Sequence, residues 1–126
     1  MKTLMTVAFL SFITITTSAI ATQLPTSSRT ISVTSFKTFR IHRQASGVAL
    51  TWQPTSADVQ RFVIERSYDG EFFEAVTTVG SNGATTHRFI DENVFPGYIH
   101  YRIIAVNTDG SSEASPVQMI RIVQRK

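Results

Sequence analysis

Short runs of β-branched and aromatic residues, each bounded by turn-forming residues, are the feature that most limits how this chain can fold. From Phe36 onward no stretch keeps the spacing of an amphipathic helix, whereas turn pairs such as Asp69-Gly70 and Pro96-Gly97 recur between the apolar runs. The runs predict strands over residues 36–42, 48–52, 61–67, 72–79, 86–90, 100–107 and 117–123. About seven short antiparallel strands with regular turns predict an all-β, immunoglobulin-like β-sandwich.

Three positions in these runs carry specific structural expectations. Trp52 alternates in phase with the other apolar residues of its run, so it is expected to be a large core residue. Asp69-Gly70 separates two runs, and a hairpin is predicted there because Gly70 can adopt a positive φ. Tyr101 is expected to pin the preceding connection through its hydroxyl group, as in a tyrosine corner.

The first 21 residues have the layout of a secretory signal. Lys2 precedes an apolar run over residues 4–15 that is too short to cross a bilayer, and small residues follow at Ala19 and Ala21. Cleavage is predicted after Ala21, with no stable membrane insertion afterwards, and an uncleaved anchor is the alternative. Residues 22–35, rich in Ser and Thr, are predicted to be a flexible lead segment, and residues 36–126 the folded domain.

Composition restricts the function classes. The chain has no cysteine, which excludes disulfides, thiolate metal sites and a lipid-bearing cysteine, and which favours a bacterial source for an exported domain. The 12 basic residues barely outnumber the 9 acidic ones. Basic residues near both ends of the domain are expected to be solvated and to protect strand edges, so no nucleic-acid partner is expected.

The histidines offer the few starting points for catalysis. In strand spacing His87 and Asp91 point to the same side, where they could contact a metal ion or polarise a serine. Neither an HExxH cluster nor a G-x-S-x-G elbow is present. Asp91 is instead expected to cap the turn before Pro96. We therefore predict no enzyme, metal or other cofactor; a hydrolase or metal protein using His87, Asp91 or His100 is the alternative.

Candidate binding residues lie on two strands that are expected to be neighbours. If Tyr101 faces the core, residues 102, 104 and 106 face outward, and by the same alternation so do residues 63 and 65. A cross-strand ion pair is then expected between residues 65 and 102. The predicted binding face consists of Val63, Glu65, Arg102, Ile104 and Val106. The alternative is ordinary β-propensity on a half-exposed surface.

A second expectation concerns the last strand. It carries Met119, Ile120, Ile122 and Val123, and it could lie at a sheet edge and accept an added strand.

Several motifs together resemble one family. Residues 64–70 (IERSYDG), with Phe73 and Val76, are followed by residues 89–91 (FID), 96–97 (PG), 100–103 (HYRI) and 109–110 (DG). The pattern resembles fibronectin type III-like domains of secreted multidomain proteins from one lineage of Gram-negative bacteria, and it spans about residues 36–123. It departs from the family at His87 and His100, where aromatic residues are usual, and at Val94, where proline is common.

The resemblance implies the fold and leaves the ligand open. In larger relatives such a domain often precedes a C-terminal sorting domain, and this chain ends at Lys126 without one. The exported protein is therefore expected in the periplasm, and an extracellular location is the alternative. The predicted function is a non-catalytic interaction module whose partner is another exported protein or a second copy. A structural domain without a ligand is the alternative. A glycan is the least favoured partner, because only Tyr68, Phe72 and Tyr98 could supply an exposed stacking ring.

Overall fold

The computed structural model describes residues 35–124. The predicted signal segment, residues 1–21, and all of the lead segment except Ser35 lie outside the described residues, as do Arg125 and Lys126. Eight strands follow one another: β1 (Phe36–Gln44), β2 (Gly47–Pro54), β3 (Val59–Ser67), β4 (Glu74–Gly80), β5 (His87–Asp91), β6 (Gly97–Asn107), β7 (Ser112–Ala114) and β8 (Gln118–Ile122). Residues 35–124 contain no helix, hence none long and apolar enough to span a membrane.

Two antiparallel sheets form the sandwich that the sequence predicts. One has three strands in the order β1-β2-β5, and the other has five, in which β4, β3 and β6 are neighbours and β7 and β8 both pair with β6. Every paired strand is antiparallel. The all-β, immunoglobulin-like prediction is therefore confirmed. Strand β4 joins the larger sheet beside β3, which leaves β1 and β5 as the edges of the smaller one.

The core lies between the inward faces of the two sheets. Trp52 of the smaller sheet is fully buried, as predicted, and its ring meets the edge of Phe62 from the larger sheet at a centroid distance of 5.5 Å. Burying a large apolar side chain contributes about 1.5–3 kcal/mol. The buried cluster consists of Phe36, Phe39, Val48, Leu50, Trp52, Val59, Phe62, Ile64, Ile99, Tyr101, Ile103 and Ala105.

The last predicted strand, residues 117–123, corresponds to β8, and the structure adds β7, which the sequence did not predict. Both strands pair with β6, with a one-residue change of register between them. Ser115 lies at the break, where its backbone N–H donates to the Ile103 carbonyl and its hydroxyl accepts the Ile103 N–H, both at 2.8 Å. Pro116 follows and has no N–H to donate, so the ladder cannot continue through it.

The predicted β3–β4 hairpin is confirmed, with a longer connection than expected. Strand β4 begins at Glu74, so Phe72 belongs to the turn. Gly70 has a φ of 81°. The Asp69 carboxylate accepts the backbone N–H groups of Glu71 and Phe72 at 2.8 and 2.9 Å. These bonds satisfy backbone donors that the turn leaves without a strand partner.

Candidate functional site

The predicted binding residues share the outer face of the five-stranded sheet. The β3–β6 register places Val63 opposite Ile104 and Glu65 opposite Arg102, while Val106 lies opposite Arg61. Their neighbours Phe62 and Ile103 are fully buried on the opposite face. The alternation argument therefore gives the correct orientation for all five residues. Each of the five is partly buried, since neighbouring strands cover its flanks.

The expected ion pair between Glu65 and Arg102 is present. Arg102 Nε donates to Glu65 Oε2 at 2.5 Å, and both side chains are partly shielded from solvent. The guanidinium carbon of Arg102 also lies 4.1 Å from the centroid of the Phe73 ring. Arg102 is thus held by a carboxylate and an aromatic face at once, which fixes its orientation better than an exposed ion pair alone. Sequence reasoning missed Phe73 as part of this surface, although it belongs to the motif after Gly70.

An apolar row crosses three strands next to this unit. Ile104 lies opposite Val63 on β3 and opposite Ala114 on β7. Further along β6, His100 lies opposite Met119 of β8, and the Met119 side chain is 58% exposed. Arg102 lies between Ile104 and His100 on the outward side of β6, so the apolar row does not reach Met119.

The prediction that the last strand lies at the edge of a sheet holds in part. Strand β8 pairs with β6 and, among the described strands, has no second neighbour in its sheet. Ile120 and Ile122 pack against the core, whereas Met119 and Val123 are exposed. The four residues thus divide between the two faces, as alternation requires.

The structure does not bring the candidate catalytic residues together. His87 is buried in the sandwich, stacked on Trp52 at a centroid distance of 5.6 Å. Asp91 lies at the other end of β5, and His100 lies on the outer side of β6 against the Gly70 turn. Within residues 35–124 no group of three or more His, Asp or Glu residues could hold a metal ion.

Asp91 does not act as the predicted turn cap. It is 2% exposed, and one carboxylate oxygen accepts both an Arg66 N–H at 2.7 Å and the Tyr101 hydroxyl at 2.8 Å. Arg66 also donates to the Asn93 carbonyl at 3.0 Å. The tyrosine therefore does pin the preceding connection, but through a carboxylate side chain. The sequence prediction was wrong because the cation comes from the opposite sheet, 25 positions earlier.

This network shifts two pKa values. Burial and then the hydrogen bond to Asp91 raise the pKa of the Tyr101 hydroxyl well above its ordinary value, because both disfavour a phenolate. Burial acts to lower the pKa of Arg66, but the hydrogen bond and charge of Asp91 outweigh it, so the pKa lies above its ordinary value. The network has a structural role, because it keeps the buried Asp91 carboxylate paired inside the fold.

Aromatic side chains are exposed near one end of the sandwich. The rings of Tyr68 and Phe95 lie 6.0 Å apart, tilted by 48°, and the Phe95 N–H donates to the Tyr68 hydroxyl at 3.2 Å. Phe72 is 77% exposed, and Tyr98 is also exposed. The predicted exposure of Tyr68, Phe72 and Tyr98 is confirmed. Phe95 was missed, because a lone aromatic before a Pro-Gly turn gives no sign of its direction.

Two open depressions lie away from the predicted face. The larger, of about 530 Å³, is lined by the β1–β2 turn, the residues after β5 and the end of β8. The other, of about 410 Å³, lies around Asp58, Asp109 and Glu113. Neither contains His87, Asp91 or His100.

The comparison with known proteins bears on the fold and not on the function. No family model and no curated protein matches the chain. It is similar to part of a pectate lyase from Pectobacterium carotovorum, with 18% identity and a TM-score of 0.55, over 70% of this chain and 27% of that one. It also aligns with 14% of a beta-1,2-glucanase chain from Parabacteroides distasonis, over 76% of its own length, with 14% identity and a TM-score of 0.47. The chain thus spans about a quarter of the pectate lyase.

Proposed function

We propose that the protein is an exported, non-catalytic interaction module that binds another protein through the outer face of its five-stranded sheet. We further propose that the domain belongs with the fibronectin type III-like domains that its motifs resemble. The support for export is the basic start, short apolar run and Ala19 and Ala21 of the first 21 residues.

The observation that carries the proposal is the apolar row formed by Val63, Ile104 and Ala114 across three strands. Outward positions of a two-layer sandwich normally carry polar side chains, because only the inward face is needed for the core. A row of apolar side chains on the outward face gives a partner a surface to bury. Val106 extends the row along β6.

The Glu65–Arg102 ion pair beside the apolar row would restrict the orientation in which a partner binds. Arg102 is held in place by Glu65 and by the Phe73 ring before any partner arrives. Arginine and aromatic residues are enriched at the centres of protein interfaces, and a pre-ordered side chain loses less conformational entropy on binding. The apolar row and Arg102 together form a small apolar surface with an ordered charged group beside it, which is suited to the centre of an interface.

Affinity capture tests this proposal. The tagged protein is incubated with native envelope extract, and bound proteins are identified by mass spectrometry and then titrated in purified form. The double variant Ile104→Lys with Val106→Lys is expected to bind the identified partner at least about tenfold more weakly, because charged groups would be buried in the interface. If the partner is a second copy, sedimentation should show a wild-type dimer that the variant lacks.

The matched control carries the same added charge elsewhere. Ala84→Lys with Thr85→Lys changes two exposed residues of the β4–β5 connection and is expected to keep wild-type affinity. Near-ultraviolet circular dichroism establishes that both variants are folded. Equal affinity of wild type and the Ile104/Val106 variant, or equal losses in the two variants, would refute this binding face. A structural domain without a ligand would show no saturable partner.

A further inference from the structure

The outer face of the three-stranded sheet carries a row of residues with two arginines. The β1–β2 register places Arg40 opposite Thr51, and the β2–β5 register places Thr51 opposite Arg88. Arg40 and Arg88 are both exposed. Because neighbouring strands lie about 4.8 Å apart, the Cα atoms of the two arginines are roughly 10 Å apart on one face of the sheet, with a threonine between them.

Lys37 adds positive charge near this row, because it is exposed at the irregularity near the start of β1. His42 is exposed in the next row. Strands β1, β2 and β5 contain one acidic residue, Asp91, which points inward and is buried. Glu92 follows β5 at the rim of the face. The face is therefore basic, although the whole chain carries only a weak basic excess.

Arg40 and Arg88 differ from Arg66 and Arg102 of the larger sheet. Arg66 and Arg102 each contact a carboxylate, whereas within residues 35–124 no acidic side chain pairs with Arg40 or Arg88. A guanidinium group presents a planar fork of donors that matches a carboxylate. Two such forks on one face of the sheet are suited to a ligand that repeats its carboxylates.

We propose that this face binds a linear polysaccharide with carboxylate-bearing sugars, a polyuronate, lying along the row of Arg40, Thr51 and Arg88. The arginines bind the carboxylates, and the Thr51 hydroxyl is placed to bond with sugar hydroxyls. Charge complementarity selects an anion. Among the outward residues of these three strands there is no Phe, Tyr or Trp, so the aromatic platform on which single-stranded nucleic-acid bases usually stack is missing.

The same face fits other anionic partners less well. An acidic peptide that adds to a sheet does so at a strand edge through main-chain bonds, which the face of a sheet does not offer. An anionic lipid surface is held most firmly when apolar side chains insert beside the charges. Here the apolar outward residues are Ala49, which is buried, and Ile90, which is half-buried.

Affinity electrophoresis of the purified protein through gels containing alginate, a linear polyuronate, tests the proposal. Wild type is expected to be retarded at low ionic strength and less so at about 0.15 M, where charges are screened beyond about 8 Å. Arg40→Gln with Arg88→Gln is expected to weaken binding at least about tenfold. Arg61→Gln with Arg121→Gln, which removes two exposed charges from the larger sheet, is expected to cause less than about a twofold loss.

Several results would overturn the proposal: no retardation of wild type by alginate, equal retardation by neutral dextran, or equal losses in the two double variants. Tighter binding to polyglutamate or to phosphatidylglycerol vesicles than to alginate would reject the polysaccharide in favour of an acidic peptide or a membrane surface. The inference does not depend on the proposed protein-binding face, so Ile104→Lys with Val106→Lys is expected to leave alginate binding unchanged.

Discussion

Arg66 Nη1 lies 2.7 Å from Asp91 Oδ2, and this contact joins the two sheets of the sandwich where β3 and β5 end. The Tyr101 hydroxyl bonds to the same oxygen from β6. Three strands are therefore tied at one buried carboxylate. Arg66 and Tyr101 compensate the charge of the Asp91 carboxylate, which would otherwise be costly to bury. The same contacts fix the position of the connection after β5.

Removal of the carboxylate is expected to be costly. Asp91→Ala should lower the free energy of unfolding by about 3–5 kcal/mol, because Arg66 is left partly buried without its partner. The double variant Arg66→Met with Asp91→Leu should lose less than Asp91→Ala, since neither charge remains to be desolvated. Urea unfolding of all three proteins measures these values. A loss below about 1 kcal/mol in Asp91→Ala would show that the pair contributes little.

Tyr101 is expected to make stability fall at high pH. Its folded-state pKa is raised, so the folded state keeps a proton that the unfolded chain releases above about pH 10. This contribution is fully present below about pH 10 and is lost as the pH rises further. The difference in unfolding free energy between wild type and Tyr101→Phe should therefore shrink above about pH 10. A difference that stays constant up to about pH 11.5 would contradict the assignment.

The sequence predicts most of the sandwich because its local signals agree with one another. The turn at Asp69-Gly70 and the alternation around Trp52 both depend on neighbouring residues, and both are confirmed. Strand β7 was missed because a three-residue run becomes a strand only through pairing with β6. The position of Ser115 between β7 and β8 depends on the same partner strand.

The candidate site also has some features that the sequence predicts and others that it does not. Alternation gives the outward direction of Val63 and Ile104, and neighbouring strands give the Glu65–Arg102 pair. The Phe73 ring beneath Arg102 could not be predicted, because it depends on the path of the β3–β4 connection. Likewise, the placement of residues 40, 51 and 88 in one row requires the register of three strands, which is set by tertiary packing.

The β3–β4 turn gives a prediction about one carboxyl group. Backbone N–H groups of Phe72 and Glu71, and then the Ser67 hydroxyl, lower the pKa of Asp69. Its stabilising effect is therefore present above about pH 3.9 and lost as the pH falls through the lowered pKa. In Ser67→Ala, carbon-detected NMR titration should show the pKa of Asp69 moving upward. The pKa of Asp109, which Ser111 lowers, serves as the control and should not move.

Gly70 gives a prediction that separates backbone strain from steric contact. Gly70 and Gly83 have φ values of 81° and 77°, so an alanine at either position should cost about 1–2 kcal/mol for its left-handed conformation. A Cβ at Gly70 would also stand 3.2 Å from His100 Nε2, whereas a Cβ at Gly83 would meet no atom within 4 Å. Urea unfolding should therefore show a larger loss for Gly70→Ala than for Gly83→Ala.

The additional loss of unfolding free energy expected for Gly70→Ala is assigned to contact with the His100 ring. A double-mutant cycle tests that assignment. Combining Gly70→Ala with His100→Ala removes the ring that the new methyl group would crowd, so the two changes should cost less together than the sum of their separate costs. The cycle with Gly83→Ala in place of Gly70→Ala should be additive, since Gly83 has no such neighbour. Additive costs in the first cycle would mean that the ring moves aside freely and that only the backbone conformation requires glycine.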